Sequence, residues 1–156
     1  MRLAIAAETP LQDDVRTLVA GLNDYLIPLT PREFQFQLTV EQMAEPAVTV
    51  FVARDAGGRA VGIGALKDHG RGLGEVKRMY TLPEVRGERV GARILKQIEE
   101  LARDNGITRL VLETGEAPGF EPAYRVYERD GFQVCGAVLD YPDSGYSRFY
   151  EKHLSV

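Results

Sequence analysis

EVKRMYTLPEVRGERVGARIL, residues 75–95, carries three kinds of patterning in one short run. Glu75 to Leu82 alternates as a strand does, and Pro83, which has no backbone N–H, stops it. Arg86 to Gly91 is a glycine-bearing loop, and from Val90 onward Ile94, Leu95, Ile98, Leu101 and Ala102 recur at helical spacing until Gly106 closes the helix. A loop that opens straight into a helix leaves unpaired N–H groups at the positive end of the helix dipole. That is a place for an anion such as a pyrophosphate. Arg86, Arg89 and Arg93 add positive charge to it.

Outward from this run, the N-terminal side begins with Leu3 to Ala6, an apolar stretch that reads as a buried first strand. Leu11, Val15, Leu18, Val19, Leu22 and Leu26 then form the stripe of a first helix, ended by Pro28 and Pro31. Thr39 to Met43 reads as one short capped turn, with Thr39 as cap and Gln42 three residues on. Val48 to Val52 and AVGIGAL, residues 60–66, flank the turn residues DAGG and predict a hairpin. HGRGLG at 69–74 is a second glycine-rich turn, with His69 solvated within it. GRGLGEV superficially resembles a dinucleotide loop, but a strand follows it where that fingerprint requires a helix.

On the C-terminal side, residues 107–113 read as a buried strand. A loop with Pro118, Gly119 and Pro122 leads to a helix that ends at Asp130 and Gly131. Residues 132–134 onward and SRFYEKH at 147–153 read as two strands joined by the turn YPDSG. The predicted order is β, α, α, β, β, β, α, β, α, β, β. The fold class is α/β (α+β): a mixed, mostly antiparallel sheet with helices on both faces, formed by residues 1–156 as a single domain.

Composition narrows the function. The 156 residues carry 19 Lys and Arg against 23 Asp and Glu, a net charge of -4, which argues against a nucleic-acid binder working by phosphate neutralisation. No apolar run reaches the roughly 18 residues of a membrane span. The N-terminal MRLAIAAETPLQDD soon turns acidic and reads as a strand, not a secretory signal, so a cytoplasmic location is the expectation. One cysteine, Cys135, and two histidines, His69 and His153, make a structural zinc site improbable, and Cys135 reads as a buried structural thiol.

EVKRMYTLPEVRGERVGARIL, then LVLETG at 110–115, then AYRVYERDGF at 123–132 together resemble the GNAT superfamily of N-acetyltransferases, over roughly Val48 to the C-terminus. The resemblance implies acetyl-CoA as acyl donor, no metal, and a small-molecule amine as acceptor. It implies that the loop Arg86, Gly87, Glu88, Arg89, Val90, Gly91 and Ala92 holds the pyrophosphate. The family pattern there is Arg or Gln, two residues, Gly, one residue, then Gly or Ala. Arg86 and Gly91 fit, whereas Arg89 stands where a glycine is usual. Either the loop keeps its shape and gains a phosphate contact, or the side chain occupies the phosphate's place.

The resemblance also implies that the backbone of Met79, Tyr80 and Thr81 pairs with the pantetheine arm and polarises the thioester carbonyl, Met79's side chain being core. Tyr127, in VYERDGF, is then the acid that protonates the departing thiolate, with Tyr124 as a weaker candidate. Glu75 or Glu113 takes the base role through water, or each is merely a strand-end carboxylate. The acceptor pocket falls to residues 26–36 and 140–146, where Phe34, Phe36, Tyr141 and Tyr146 beside Glu33, Asp140 and Asp143 would suit a cationic amine with an apolar body. A non-catalytic acyl-CoA-binding regulatory module of the same fold is the alternative. A homodimer stays open, because an apolar helix face packs on the sheet in a monomer as well.

Overall fold

The computed structural model describes residues 2–36 and 38–155. Strand β1 (Ala4–Ala7) is followed by helices α1 (Asp13–Leu26) and α2 (Val40–Met43), then strands β2 (Val48–Arg54), β3 (Ala60–Gly70) and β4 (Leu73–Thr81). Helix α3 (Val90–Asp104), strand β5 (Arg109–Gly115), helix α4 (Glu121–Arg129) and strands β6 (Gln133–Cys135) and β7 (Ser147–His153) complete the order read from the sequence.

The strands form one sheet in the order β1-β2-β3-β4-β5-β7-β6, antiparallel throughout except for β4 beside β5. Both faces are covered, which explains why the central strands are apolar on both sides. Val50 and Val52 of β2 pack toward Val15, Leu18, Val19 and Met43, while Phe51 and Ala53 between them join the cluster of Ile94, Leu95 and Ile98 on α3. Successive residues serve opposite layers, as the pleat requires. The capping box at α2 forms as read: the Thr39 hydroxyl accepts from Gln42 N–H, and the Gln42 side chain accepts from Thr39 N–H at 2.9 Å.

Some local expectations need correction. The first strand is an edge strand with Ala4, Ala6 and Ala7 exposed, because β2 covers one edge only and alanine offers little to bury. Leu11 precedes α1 and is 48% exposed. Pro122 lies inside the first turn of α4, where its missing N–H costs nothing. β3 runs through His69 to Gly70, so the tight turn is Arg71 and Gly72 alone, both at positive φ. The two strands read in residues 132–153 do pair antiparallel as β6 and β7, and β7 also pairs β5 on its other edge, so it lies between β5 and β6. Cys135, in the short outer strand β6, is half-buried rather than buried.

Candidate active site

The site starts from a failure of pairing. β4 and β5 run together at Leu73, Gly74 and Glu75 opposite Arg109, Leu110 and Val111, and no pair follows. β5 pairs β7 on its other edge along its whole length, from Arg109 to Gly115, so beyond Glu75 the sheet opens into a wedge between β4 and β5. On its other edge β4 stays with β3, with a register shift between Ile63 and Ala65. That shift is a bulge centred on Arg78, whose φ of 57 is in the left-handed region. Gly64 faces the bulge, and a Cβ there would collide with Met79 Sδ and Ile94. Met79's side chain therefore belongs to the core on the α3 face. Leu82 N–H donates to Val61 across the ladder, so alternation turns the N–H groups of Thr81 and Met79 toward the open wedge.

A cavity of about 730 Å³ fills this wedge. One end is the start of α3. Arg86, Gly87, Arg89, Val90, Gly91 and Ala92 line it, while Glu88 does not. No side chain caps the first turn of α3, which leaves its N–H groups for a ligand or water. Gly87 has φ of 93, and Arg89 adopts φ 62, ψ 28, the conformation a glycine would take. The left-handed backbone costs a non-glycine residue about 1 kcal/mol. The Arg89 side chain lies on the cavity wall at the start of α3. Val90 is also core, 2% exposed. Arg86 stacks over the ring of Tyr25, whose hydroxyl donates to the Gly119 carbonyl across the cavity mouth.

Tyr127 lines the middle of the cavity. Its ring packs on Phe132 and Tyr150, each at 5.9 Å between centroids, and among the described residues nothing hydrogen-bonds its hydroxyl. Burial first, and the Glu113 carboxylate second, push this phenol well above its ordinary range, so it is protonated at neutral pH. Tyr124 lies outside the cavity wall, and its hydroxyl is spent on the Gly115 carbonyl.

The two candidate carboxylates both line the cavity, and neither is a bare strand-end group. Glu75 is 3% exposed. Its Oε2 accepts from the Tyr141 hydroxyl at 2.5 Å and from Lys77 Nζ at 3.2 Å, and His69 Nε2 sits 2.9 Å from Oε1. Lys77 also donates to the Tyr141 hydroxyl at 2.6 Å, closing a triangle. His69 is thus tied to Glu75 and not free in a turn. Glu113 accepts from the Ser147 hydroxyl at 2.6 Å. Burial raises its carboxyl above the ordinary range, with Ser147 and Lys77 opposing and Glu75 adding to the shift.

At the far end Phe34 and Phe36 form part of the wall. Phe34 stacks on Tyr146 at 4.8 Å, and Phe36 meets Tyr141 edge-on at 5.2 Å. The two loops expected to build this end do meet. The acids expected among them do not reach it: Glu33, Asp140 and Asp143 are exposed, as free carboxylates in solvent are favoured to be, and off the wall. The ionic groups on that stretch of wall come instead from β4 and β5, namely Glu75, Lys77, Arg78 and Glu113.

Comparison with known proteins gives the family. The model of the acetyltransferase (GNAT) family matches residues 17–132. An IAA acetyltransferase of Azospirillum brasilense is 40% identical over 97% of this chain and 98% of its own length. The chain belongs to the GNAT acetyltransferase family. A solved Klebsiella pneumoniae protein, named as a candidate acyl-CoA N-acyltransferase, is 31% identical with a TM-score of 0.82 over 98% of both chains. The PaiA N-acetyltransferase of Thermoplasma acidophilum, solved in complex with coenzyme A, shares the fold at a TM-score of 0.73 and 16% identity, over 99% of this chain and 100% of that one.

The GNAT match begins at residue 17, within α1, well before the Val48 from which the motifs were legible. The cavity of this GNAT enzyme also gathers basic residues that the motifs did not flag. Seven basic residues line it against three acidic ones, Lys96, Arg125 and Arg129 among the former, in a chain of net charge -4. Arg125 and Arg129, one helical turn apart on α4, were the available signal. Among the described residues no group of three His, Cys, Asp or Glu could hold a metal, and no helix is long and apolar enough to cross a membrane.

Proposed function

We propose that this GNAT enzyme transfers an acetyl group from acetyl-CoA to a primary amine, directly and within a ternary complex. The observation that carries the reading is the continuous cavity, which runs from the uncapped start of α3 past Tyr127 to Glu75 and Glu113. The pyrophosphate sits on the N–H groups of residues 90–92, flanked by Arg86 and Arg89, and the pantetheine arm lies along the free edge of β4 at Met79 to Thr81. The N–H groups turned into the wedge polarise the thioester carbonyl.

The neutral amine nitrogen attacks the acetyl carbonyl carbon. The C–S bond breaks as the C–N bond forms, the sulfur takes its proton from the Tyr127 hydroxyl, and the proton lost by the amine passes through water to a carboxylate. Between the two carboxylates the geometry favours Glu113. Glu75 is committed to Lys77, Tyr141 and His69, whereas Glu113 holds one described hydrogen bond and an elevated carboxyl suited to accepting a proton.

A base must be unprotonated, so kcat/KM falls as pH drops through the Glu113 pKa, and the raised value puts this acid limb above the ordinary carboxylate range. Initial rates of CoA release across pH with a panel of primary amines test this. Glu113→Gln is expected to lose about a hundredfold in kcat and to remove that limb. A Glu113→Gln profile identical to the parent excludes Glu113 as base, and an amine panel with no CoA release above hydrolysis excludes acetyl transfer to those amines.

A further inference from the structure

Arg78 has no task in the transfer chemistry, yet it is held in the cavity at some cost. Its backbone is left-handed, its side chain is 8% exposed, and it lines the cavity wall. One nitrogen, Nη2, donates to Asn23 Oδ1 of α1, while Nε is buried with no hydrogen-bond partner. Among the described residues no carboxylate lies within ion-pair reach. Glu75 is taken by Lys77, and Glu113 by Ser147. Burial pulls the guanidinium down to about 10, which still leaves it charged at neutral pH. A buried cation with no anion is unfavourable, and an anionic ligand group in the cavity would supply the missing charge.

The surroundings narrow that ligand. Arg78 is on the same strand as Glu75, and the wall beside them includes Leu22, Phe34 and Phe36. A guanidinium on the same cavity wall as two carboxylates, but out of ion-pair reach of either, leaves room between the charges and complements a zwitterion: a carboxylate at Arg78, an amine toward Glu113, and an apolar body on the phenylalanines of the wall. We infer that the acceptor bears a carboxylate held by Arg78, and that its simplest form is an amino acid with an apolar or aromatic side chain. This rests on the acetyl-transfer reading above and names the acceptor class for it.

The test compares acid with amide. Initial rates are measured with phenylalanine, leucine and methionine against phenylalaninamide, leucinamide and methioninamide. In parallel, N-acetylphenylalanine and its amide are titrated calorimetrically into CoA-saturated enzyme, which reads the carboxylate site without turnover. The parent enzyme is expected to prefer the acids roughly a hundredfold in kcat/KM and in product affinity, mostly through KM. In Arg78→Gln the preference falls to within about threefold while acetyl-CoA affinity is unchanged, and Arg78→Lys restores part of it. Should Arg78→Gln not fold, Asn23→Ala, which frees the guanidinium, is expected to reduce the preference part-way.

Equal binding of acid and amide by the parent enzyme overturns the inference, as does a preference that survives Arg78→Gln or an Arg78→Gln enzyme that loses acetyl-CoA instead. An acid preference in binding without CoA release leaves the carboxylate site standing and removes the transfer reading. CoA release with amides as good as acids does the reverse.

Discussion

Tyr127→Phe is expected to lower kcat by about 10²–10⁴-fold while leaving acetyl-CoA affinity within a few-fold of the parent, because the substitution removes only the acid. The ring stays, and with it the packing on Phe132 and Tyr150. No described residue loses a hydrogen bond, so stability should hardly change. Burial makes the phenol a weaker acid than in water, but the departing thiolate is desolvated in the same cavity and becomes correspondingly more basic. Steady-state rates together with calorimetric acetyl-CoA binding separate the two effects. An unchanged kcat would remove Tyr127 from the chemistry, and a parallel loss of affinity would make it a packing residue for the coenzyme.

Gly91→Glu should weaken acetyl-CoA binding roughly a hundredfold, because it sets a carboxylate at the uncapped start of α3 where the pyrophosphate is proposed to sit. The position tolerates a side chain sterically. A Cβ on Gly91 would meet only Val126, at 3.8 Å and 3.9 Å, and its backbone is helical. Gly91→Ala is therefore the control: it should fold normally and gain about 0.5–1 kcal/mol of stability from helix propensity. Calorimetric titration of all three proteins with acetyl-CoA reads the charge effect against the steric one. Equal affinity for the parent and Gly91→Glu would place the pyrophosphate elsewhere.

What the sequence disclosed was largely local. The α1 stripe, the Thr39 and Gln42 capping box, the span of β7 and the loop-to-helix step at 86–91 all follow from residues within a turn or two of one another. What it concealed depends on distant partners or on backbone angles. The left-handed φ of Arg78 carries no side-chain signature, so the bulge was not legible in a run read as alternating. Glu75 looked like a strand-end group because Tyr141, which buries and hydrogen-bonds it, is 66 residues away. The insertion of β7 between β5 and β6 is likewise a matter of long-range register. Aromatic residues at the Phe34 and Phe36 end of the cavity were legible as types, but their acidic neighbours turned to solvent, and the ionic groups of the wall came from strands.

The most direct measurement of the central claim, that the wedge between β4 and β5 is an acetyl-CoA site, is thermal unfolding of the protein with acetyl-CoA, free CoA or NAD. A ligand at about a hundred times its dissociation constant adds roughly 2.7 kcal/mol, which raises the midpoint by roughly 5–10 °C in a domain of this size. That rise is expected with acetyl-CoA and with CoA, and none with NAD. A midpoint unmoved by saturating acetyl-CoA and CoA, or moved equally by NAD, would contradict it.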